Sequence, residues 1–256
     1  MIEMISIHNL YVNFGNRSIL KNIELNIYRG KFYGLIGPNG SGKTTLLKTI
    51  AKLLPYQQGS IEITEKKQKS FNQKELAKTL SYVPQDTNID FDFQVKDIVA
   101  MGRHAHQHYL NRNQSNEEII RKAMIETDTY RFYEHSILNL SGGQRQLVFI
   151  AKALAQDTPI ILLDEPISAL DIYYQLRILK LLQQLSKQGK TVVIVLHDLN
   201  LAARFCEKLI LLKDGAVEVA GNCNAVLTQK TLKNTYQIDA SVREDEIIDS
   251  LYITPL

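Results

Sequence analysis

The chain has 256 residues, 45% hydrophobic and 22% charged, with 30 Lys and Arg against 27 Asp and Glu for a formal charge of +3. This is enough apolar material for a full core, which excludes a disordered chain, and the length suits one domain or one domain with a lobe. Near-balanced charge without a basic stripe argues against nucleic acid as a partner. The two cysteines, Cys206 and Cys223, show neither metal-ligand spacing nor the density of a disulfide scaffold, as in a reduced, cytoplasmic chain.

Met1 to Leu10 lacks a basic segment followed by an apolar one, so no signal peptide is expected. The longest apolar runs, such as Val192–Leu196, are of strand length, whereas a membrane-spanning helix needs ~20 apolar residues. Up to Gly30 the chain reads as antiparallel strands, with Ile23, Leu25 and Ile27 alternating with Glu24 and Asn26. Tyr33–Ile36 is a short strand. A glycine-rich run follows, and then Leu46, Leu47, Ile50, Leu53 and Leu54 repeat at helical spacing until Pro55 stops the helix. Residues 86–155 lack strong strand patterns and hold two helical stretches, Asn116–Glu126 and Gly143–Ala155. This is the texture of a helical lobe inserted into an α/β core. Ile160–Leu163 and Val192–Leu196 are continuous apolar strands suited to a parallel sheet covered on both faces. The helix Ile172–Lys187 between them makes a βαβ unit. Leu209–Leu212 and Ala216–Val219 flank Lys213-Asp-Gly215, a hairpin signal.

Gly37-Pro38-Asn39-Gly40-Ser41-Gly42-Lys43-Thr44 fits the pattern G-x-x-x-x-G-K-[ST], between a predicted strand and a predicted helix as that motif requires. Its glycines let backbone N–H groups turn inward onto phosphate oxygens, and the helix N-terminus adds a positive dipole. Lys43 is expected to bridge the β- and γ-phosphates, Thr44 to ligate Mg²⁺, and Thr45 to support the α-phosphate side. Asp164 and Glu165 end the strand Ile160–Leu163, where α/β sheets bind ligands in the crevice beyond their strand ends. Asp164 is read as holding Mg²⁺ through water and Glu165 as polarising the attacking water. Together these features predict a P-loop nucleotide hydrolase. The absence of an Asn-Lys-x-Asp segment disfavours a GTPase.

Leu140-Ser-Gly-Gly-Gln144 opens a helical run, and Ser141 with the N–H groups of Gly142 and Gly143 forms a second anion-binding helix start. With this string the chain resembles the ATP-binding cassette (ABC) ATPases over residues 4–240. The resemblance implies a P-loop NTPase core with an inserted α-helical subdomain. That core has a mixed sheet with a parallel centre and an N-terminal antiparallel β subdomain. Residues 1–85 and 156–240 would form the core, 86–155 the helical subdomain and 241–256 a tail. Two chains would pair head to tail, the signature Ser141, Gly142, Gly143 and Gln144 of one closing on the phosphate loop of the other. Phe14 would stack on adenine, with Tyr11 as the second candidate. Gln85 would act as the loop glutamine reaching Mg²⁺ and the attacking water. Asp171, in Ser168-Ala-Leu-Asp171, would sit at the dimer seam. His197 would orient Glu165 and the water.

The segment Phe93 to Arg103, the run His197 to Arg204 and the stretch Gly221 to Asp239 resemble the importers of iron-siderophore, haem and vitamin B12. What this implies is an ATP-hydrolysing subunit on the cytoplasmic face of the membrane. Residues Gln85–Tyr109 would take a coupling helix of the permease, and an extracytoplasmic binding protein would act in the same system without direct contact. His104, His106 and His108 read as a solvated or partner-facing segment. Two alternatives are an importer ATPase for another metal and a soluble ATPase of iron–sulfur cluster assembly, whose signature usually departs from Leu-Ser-Gly-Gly-Gln. The tail, with Glu244-Asp-Glu246, reads as a solvated face.

Overall fold

A computed structural model describes residues 2–106 and 114–256, and two compact units share them: Met1–Phe71 with Gln183–Leu256, and Asn72–Leu182. In the first unit, β1 (Glu3–Phe14) and β2 (Arg17–Tyr28) pair antiparallel across a turn at Gly15, which takes φ 57°. Ile23, Leu25 and Ile27 are buried, as their alternation with polar residues requires. β4 (Gln58–Ile63) and the short β5 (Lys66–Lys67) complete an antiparallel sheet of order β2-β1-β4-β5.

Between these strands run β3 (Phe32–Ile36) and α1 (Lys43–Ile50). β3 lies between two parallel neighbours, β8 (Thr191–Val195) and β9 (Lys208–Lys213), and β10 (Ala216–Gly221) pairs antiparallel with β9. Every residue of β3 and β8 is buried, which is why both read as apolar without alternation. The β9–β10 turn uses Asp214 at φ 49° and Gly215 at φ 84°, the left-handed pair that an Asp-Gly hairpin demands. Helix α1 stops at Ile50, short of Pro55. Lys52 turns the chain at φ 61° and donates Nζ to Phe71 O at 2.8 Å, which leaves Leu53 outside the helix and 58% exposed.

The same unit carries α7 (Leu199–Phe205), α8 (Cys223–Val226), α9 (Gln229–Tyr236) and the strands β11 (Ala240–Asp245) and β12 (Ser250–Pro255). The expected tail is therefore a β-hairpin, built on the alternation Leu251-Tyr-Ile253 with both aliphatic side chains buried. It packs on α7, where Asn200 Nδ2 donates to Ile253 O at 3.2 Å and Asn200 Oδ1 accepts from Ile253 N at 2.7 Å. Glu244 and Glu246 face solvent.

The second unit opens with α2 (Gln73–Thr79), capped reciprocally by Asn72 and Glu75. β6 (Leu80–Val83) then pairs parallel with β7 (Ile160–Leu163). This pairing makes the unit wider than the helical stretch 86–155. Helices α3 (Val95–Met101), α4 (Gln114–Glu126) and α5 (Gly142–Ala155) share a core of Val95, Ile98, Val99, Met124, Ile137 and Val148. α3 is additional to the two helical stretches that the sequence predicts here, whereas α6 (Ile172–Lys187) has the bounds its periodicity predicts. Among the described residues no helix is long and apolar enough to cross a membrane.

The C-terminal end of α5 is tied down by the Gly-Arg pair that precedes the histidines. A Cβ on Gly102 would lie 2.3 Å from Lys152 O, so only glycine permits this approach. Arg103 is buried, with Nη1 donating to Ala155 O at 2.9 Å and Nε to Asn116 Oδ1 at 3.0 Å. His106 Nε2 lies 2.9 Å from Gln156 O, so this histidine is half-buried and bonded instead of solvated. His104 is exposed, and His108 and Tyr109 lie outside the described residues. These contacts satisfy carbonyls that a helix end leaves unpaired. Arg103→Met should lower stability by about 1–3 kcal/mol, the cost of stranding such groups. Thermal unfolding followed by circular dichroism should show a drop of several degrees, and an unchanged midpoint would contradict the capping role.

Candidate active site

The first unit holds the glycine loop between β3 and α1. Gly37, Gly40 and Gly42 take φ values of 146°, 77° and 102°, a backbone that side chains resist. Two of them are also held by contact. A Cβ on Gly37 would lie 2.2 Å from Leu212 O at the end of β9, and one on Gly42 would lie 2.7 Å from Leu20 Cδ2 of β2. The β9–β10 turn braces the loop from outside, with Gly215 N donating to Ser41 O at 3.2 Å and Lys21 N to Gly215 O at 2.8 Å. Pro38, Asn39 and Gly40 form the outer lip, where Asn39 and Gly40 are exposed.

Lys43 is buried and folds back on its own loop, its Nζ donating to Gly37 O at 2.8 Å and Pro38 O at 2.9 Å. Ser41 Oγ is buried without a hydrogen-bond partner, and the N-cap Gly42 offers no side chain to the first turn of α1. Thr44 and Thr45 stand in that turn, both half-buried. An ammonium, an orphaned hydroxyl and a helix start without an acidic residue fit a phosphate anion. Sequence reasoning missed Tyr236, from the last turn of α9, whose hydroxyl accepts the backbone N–H of Gly37. Burial pushes this phenol up to about 12 against that opposing bond. Nothing in the local sequence around Tyr236 marks it, because the contact is long-range.

Phe14 ends β1 at the hairpin tip, 50% exposed, whereas Tyr11 is half-buried within the strand. His197 is exposed and follows β8. The next residue, Asp198, caps α7 by accepting Asn200 N and Leu201 N at 2.8 and 2.9 Å.

The second unit gathers the carboxylates. β6 and β7 end in register, Val83 beside Leu163, and Asp164 N donates to Val83 O at 3.0 Å. Asp164 is fully buried, and Tyr82 OH donates to its Oδ2 at 3.1 Å. Burial, and then the charge and hydrogen bond of Asp164, hold the Tyr82 phenol well above its ordinary pKa. Glu165 follows at φ 49°, an unusual backbone for a non-glycine residue and one that occurs where a site is pre-organised. Gln85 Nε2 donates to Glu165 Oε2 at 2.8 Å, so the two residues assigned to the attacking water touch each other. Ser168 Oγ donates to Glu165 O at 3.0 Å.

Ser141 is the N-cap of α5 in a capping box: Gln144 N donates to Ser141 Oγ at 3.2 Å, and Ser141 N to Gln144 Oε1 at 2.9 Å. Ser141 and Gly142 are exposed, while Gly143 packs on Ala169. Asp171 caps α6, its Oδ1 accepting Tyr174 N at 3.1 Å.

Residues 20–168 match the family model described as ABC transporter. The chain belongs to this family. It is 41% identical over 246 residues to the iron(3+)-hydroxamate import ATP-binding protein FhuC of Bacillus subtilis, covering 95% of this chain and 91% of the relative. It is 33% identical over 253 residues to the cobalamin import ATP-binding protein BtuD of Halobacterium salinarum, covering 98% of this chain and 63% of that longer relative. A solved dimeric bacterial ABC transporter cassette superposes with a TM-score of 0.77 at 34% identity, over 86% of this chain and 99% of that one. The fold is thus the α/β P-loop NTPase fold of an ABC ATPase.

The two signature glycines of this ABC chain differ in freedom. A Cβ on Gly142 meets nothing within 4 Å, whereas one on Gly143 would lie 2.9 Å from Ala169 O. Gly142→Ala should leave the unfolding midpoint unchanged or slightly raised. Gly143→Ala should cost about 1–3 kcal/mol through forced backbone displacement. Equal midpoints for the two variants would contradict the packing of the signature turn on Ala169.

Proposed function

We propose that the chain is the ATP-hydrolysing subunit of an importer for metal-chelate cargo of the iron-siderophore, haem or cobalamin kind. It would work on the cytoplasmic face of a membrane beneath a permease. The cargo reading is supported by the relatives, which are import ATP-binding proteins for iron(3+)-hydroxamate and cobalamin, and by the stretches Phe93–Arg103 and His197–Arg204. An extracytoplasmic binding protein would deliver the cargo without touching this chain. The permease would rest on residues 85–109, where the core passes into the helical segment 86–155.

Chemically, Phe14 stacks on adenine, and the loop Gly37 to Thr45 surrounds the phosphates with N–H groups and the Lys43 ammonium. Lys43 exchanges its bonds to the Gly37 and Pro38 carbonyls for phosphate oxygens. Thr44, Gln85 and Asp164 are the residues that would hold Mg²⁺, which would offset charge on the β- and γ-phosphates when bound. Two copies close head to tail, so that Ser141, Gly142, Gly143 and Gln144 of one meet the γ-phosphate held by the other, with Asp171 at the seam. Hydrolysis then breaks the bond between the γ-phosphorus and the β–γ bridging oxygen. The water oxygen adds in line, Glu165 takes its proton, and ADP leaves as the group bearing the bridging oxygen. Gln85 and His197 orient Glu165 and the water.

The single observation that carries this reading is the pair Gln85–Glu165, bonded at 2.8 Å with Glu165 on an unusual backbone. Loss of a general base costs about 10²–10⁴-fold in rate. Glu165→Gln should therefore bind ATP with wild-type affinity, elute as a dimer in its presence, and hydrolyse it at least about 100-fold more slowly. Phosphate release at the wild-type rate would remove Glu165 from the mechanism.

A further inference from the structure

The four-residue segment Tyr82-Val-Pro-Gln85 grips both carboxylates of β7's end, and only Gln85 has so far been given a role. Val83 O fixes the Asp164 main chain at 3.0 Å, Tyr82 OH reaches Asp164 Oδ2 at 3.1 Å, and Gln85 Nε2 reaches Glu165 Oε2 at 2.8 Å. Tyr82 and Val83 thus meet Asp164, and Gln85 meets Glu165.

We propose that Tyr82 is a positioning residue for metal binding: its hydroxyl holds the Asp164 carboxylate in one orientation, and so sets the chain's affinity for Mg²⁺. The proposal rests on the reading of Asp164 as a metal-binding carboxylate. Three observations support it. Asp164 is fully buried, and a buried carboxylate is costly without donors to its oxygens. The donor comes from β6, whose parallel ladder with β7 places Tyr82 beside Leu162 and Val83 beside Leu163, so the pairing of the strands fixes the distance. Tyr82 is itself half-buried, which makes its hydroxyl part of a set geometry and not a freely rotating surface group. Hydrogen-bond partners behind a metal-binding group typically change metal affinity by about 10–100-fold when removed.

The test is binding of a non-hydrolysable ATP analogue to the full chain, followed by calorimetry in EDTA and over a MgCl₂ titration. Tyr82→Phe keeps the ring and its packing. It should raise the half-saturating Mg²⁺ concentration about tenfold while leaving affinity in EDTA within about twofold of wild type. In an Asp164→Asn background the same substitution should add nothing, because its effect passes through the carboxylate. A Mg²⁺ requirement for Tyr82→Phe within twofold of wild type would overturn the proposal. An equal loss in EDTA and in Mg²⁺ would also overturn it, since that marks a general structural effect. If Asp164→Asn itself kept the wild-type Mg²⁺ dependence, the metal-binding reading of Asp164 would fall, and the role of Tyr82 with it.

Discussion

Everything chemical in this chain depends on an ammonium that its own backbone holds in place. Lys43 sits buried against the carbonyls of Gly37 and Pro38, on a loop whose three glycines take left-handed backbone. That backbone is imposed from outside. Leu212 O crowds Gly37, Leu20 crowds Gly42, Gly215 binds Ser41 O, and Tyr236 takes the amide of Gly37. The elements pressing on the loop come from β2, β9, the β9–β10 turn and α9, far apart in the chain. A short anion cradle therefore needs most of its unit folded around it.

The second unit solves a different problem, which is holding a fully buried carboxylate, Asp164, and its neighbour Glu165 in fixed positions. Parallel pairing of β6 with β7 brings their ends into register, so that backbone and side chains of 82–85 bind 164 and 165. Rigid strands serve this purpose better than a loop, because errors of an ångström in a catalytic group are expensive in rate. Downstream, the turn Ser168–Asp171 caps α6 and packs against Gly143 at the start of α5. The carboxylates and the signature turn are thus parts of one mechanical block, whose other end Arg103 ties at Ala155.

Features with a local cause were legible in the sequence. The glycine loop, the Asp-Gly hairpin, the alternation of β2 and the bounds of α6 each follow from a few neighbouring residues. The signature and the carboxylate pair were legible as motifs, and their partners Gln85 and Asp171 could be placed by their order along the chain. Features with a distant cause were not legible. Helix α1 stops at Ile50 because Lys52 finds carbonyls at Lys69 and Phe71, which no periodicity announces. The hairpin β11–β12 depends on Asn200, and residues 241–256 alone suggest only a polar tail. Tyr82 and Tyr236 read as ordinary strand and helix tyrosines until their hydroxyls are seen to meet Asp164 and Gly37. The bond of His106 is illegible for the same reason, since its partner Gln156 lies at the far end of another helix.

The central claim is that the Lys43 loop is an ATP cradle whose charge does the binding. Isothermal titration of ATP into the wild-type chain and into Lys43→Ala tests it most directly, with circular dichroism confirming that both are folded. Saturable binding by the wild type, weakened about 100-fold or more in the variant, is the predicted result, since charge-assisted hydrogen bonds contribute about 1.5–3 kcal/mol each. Equal affinities in two folded proteins would contradict the account.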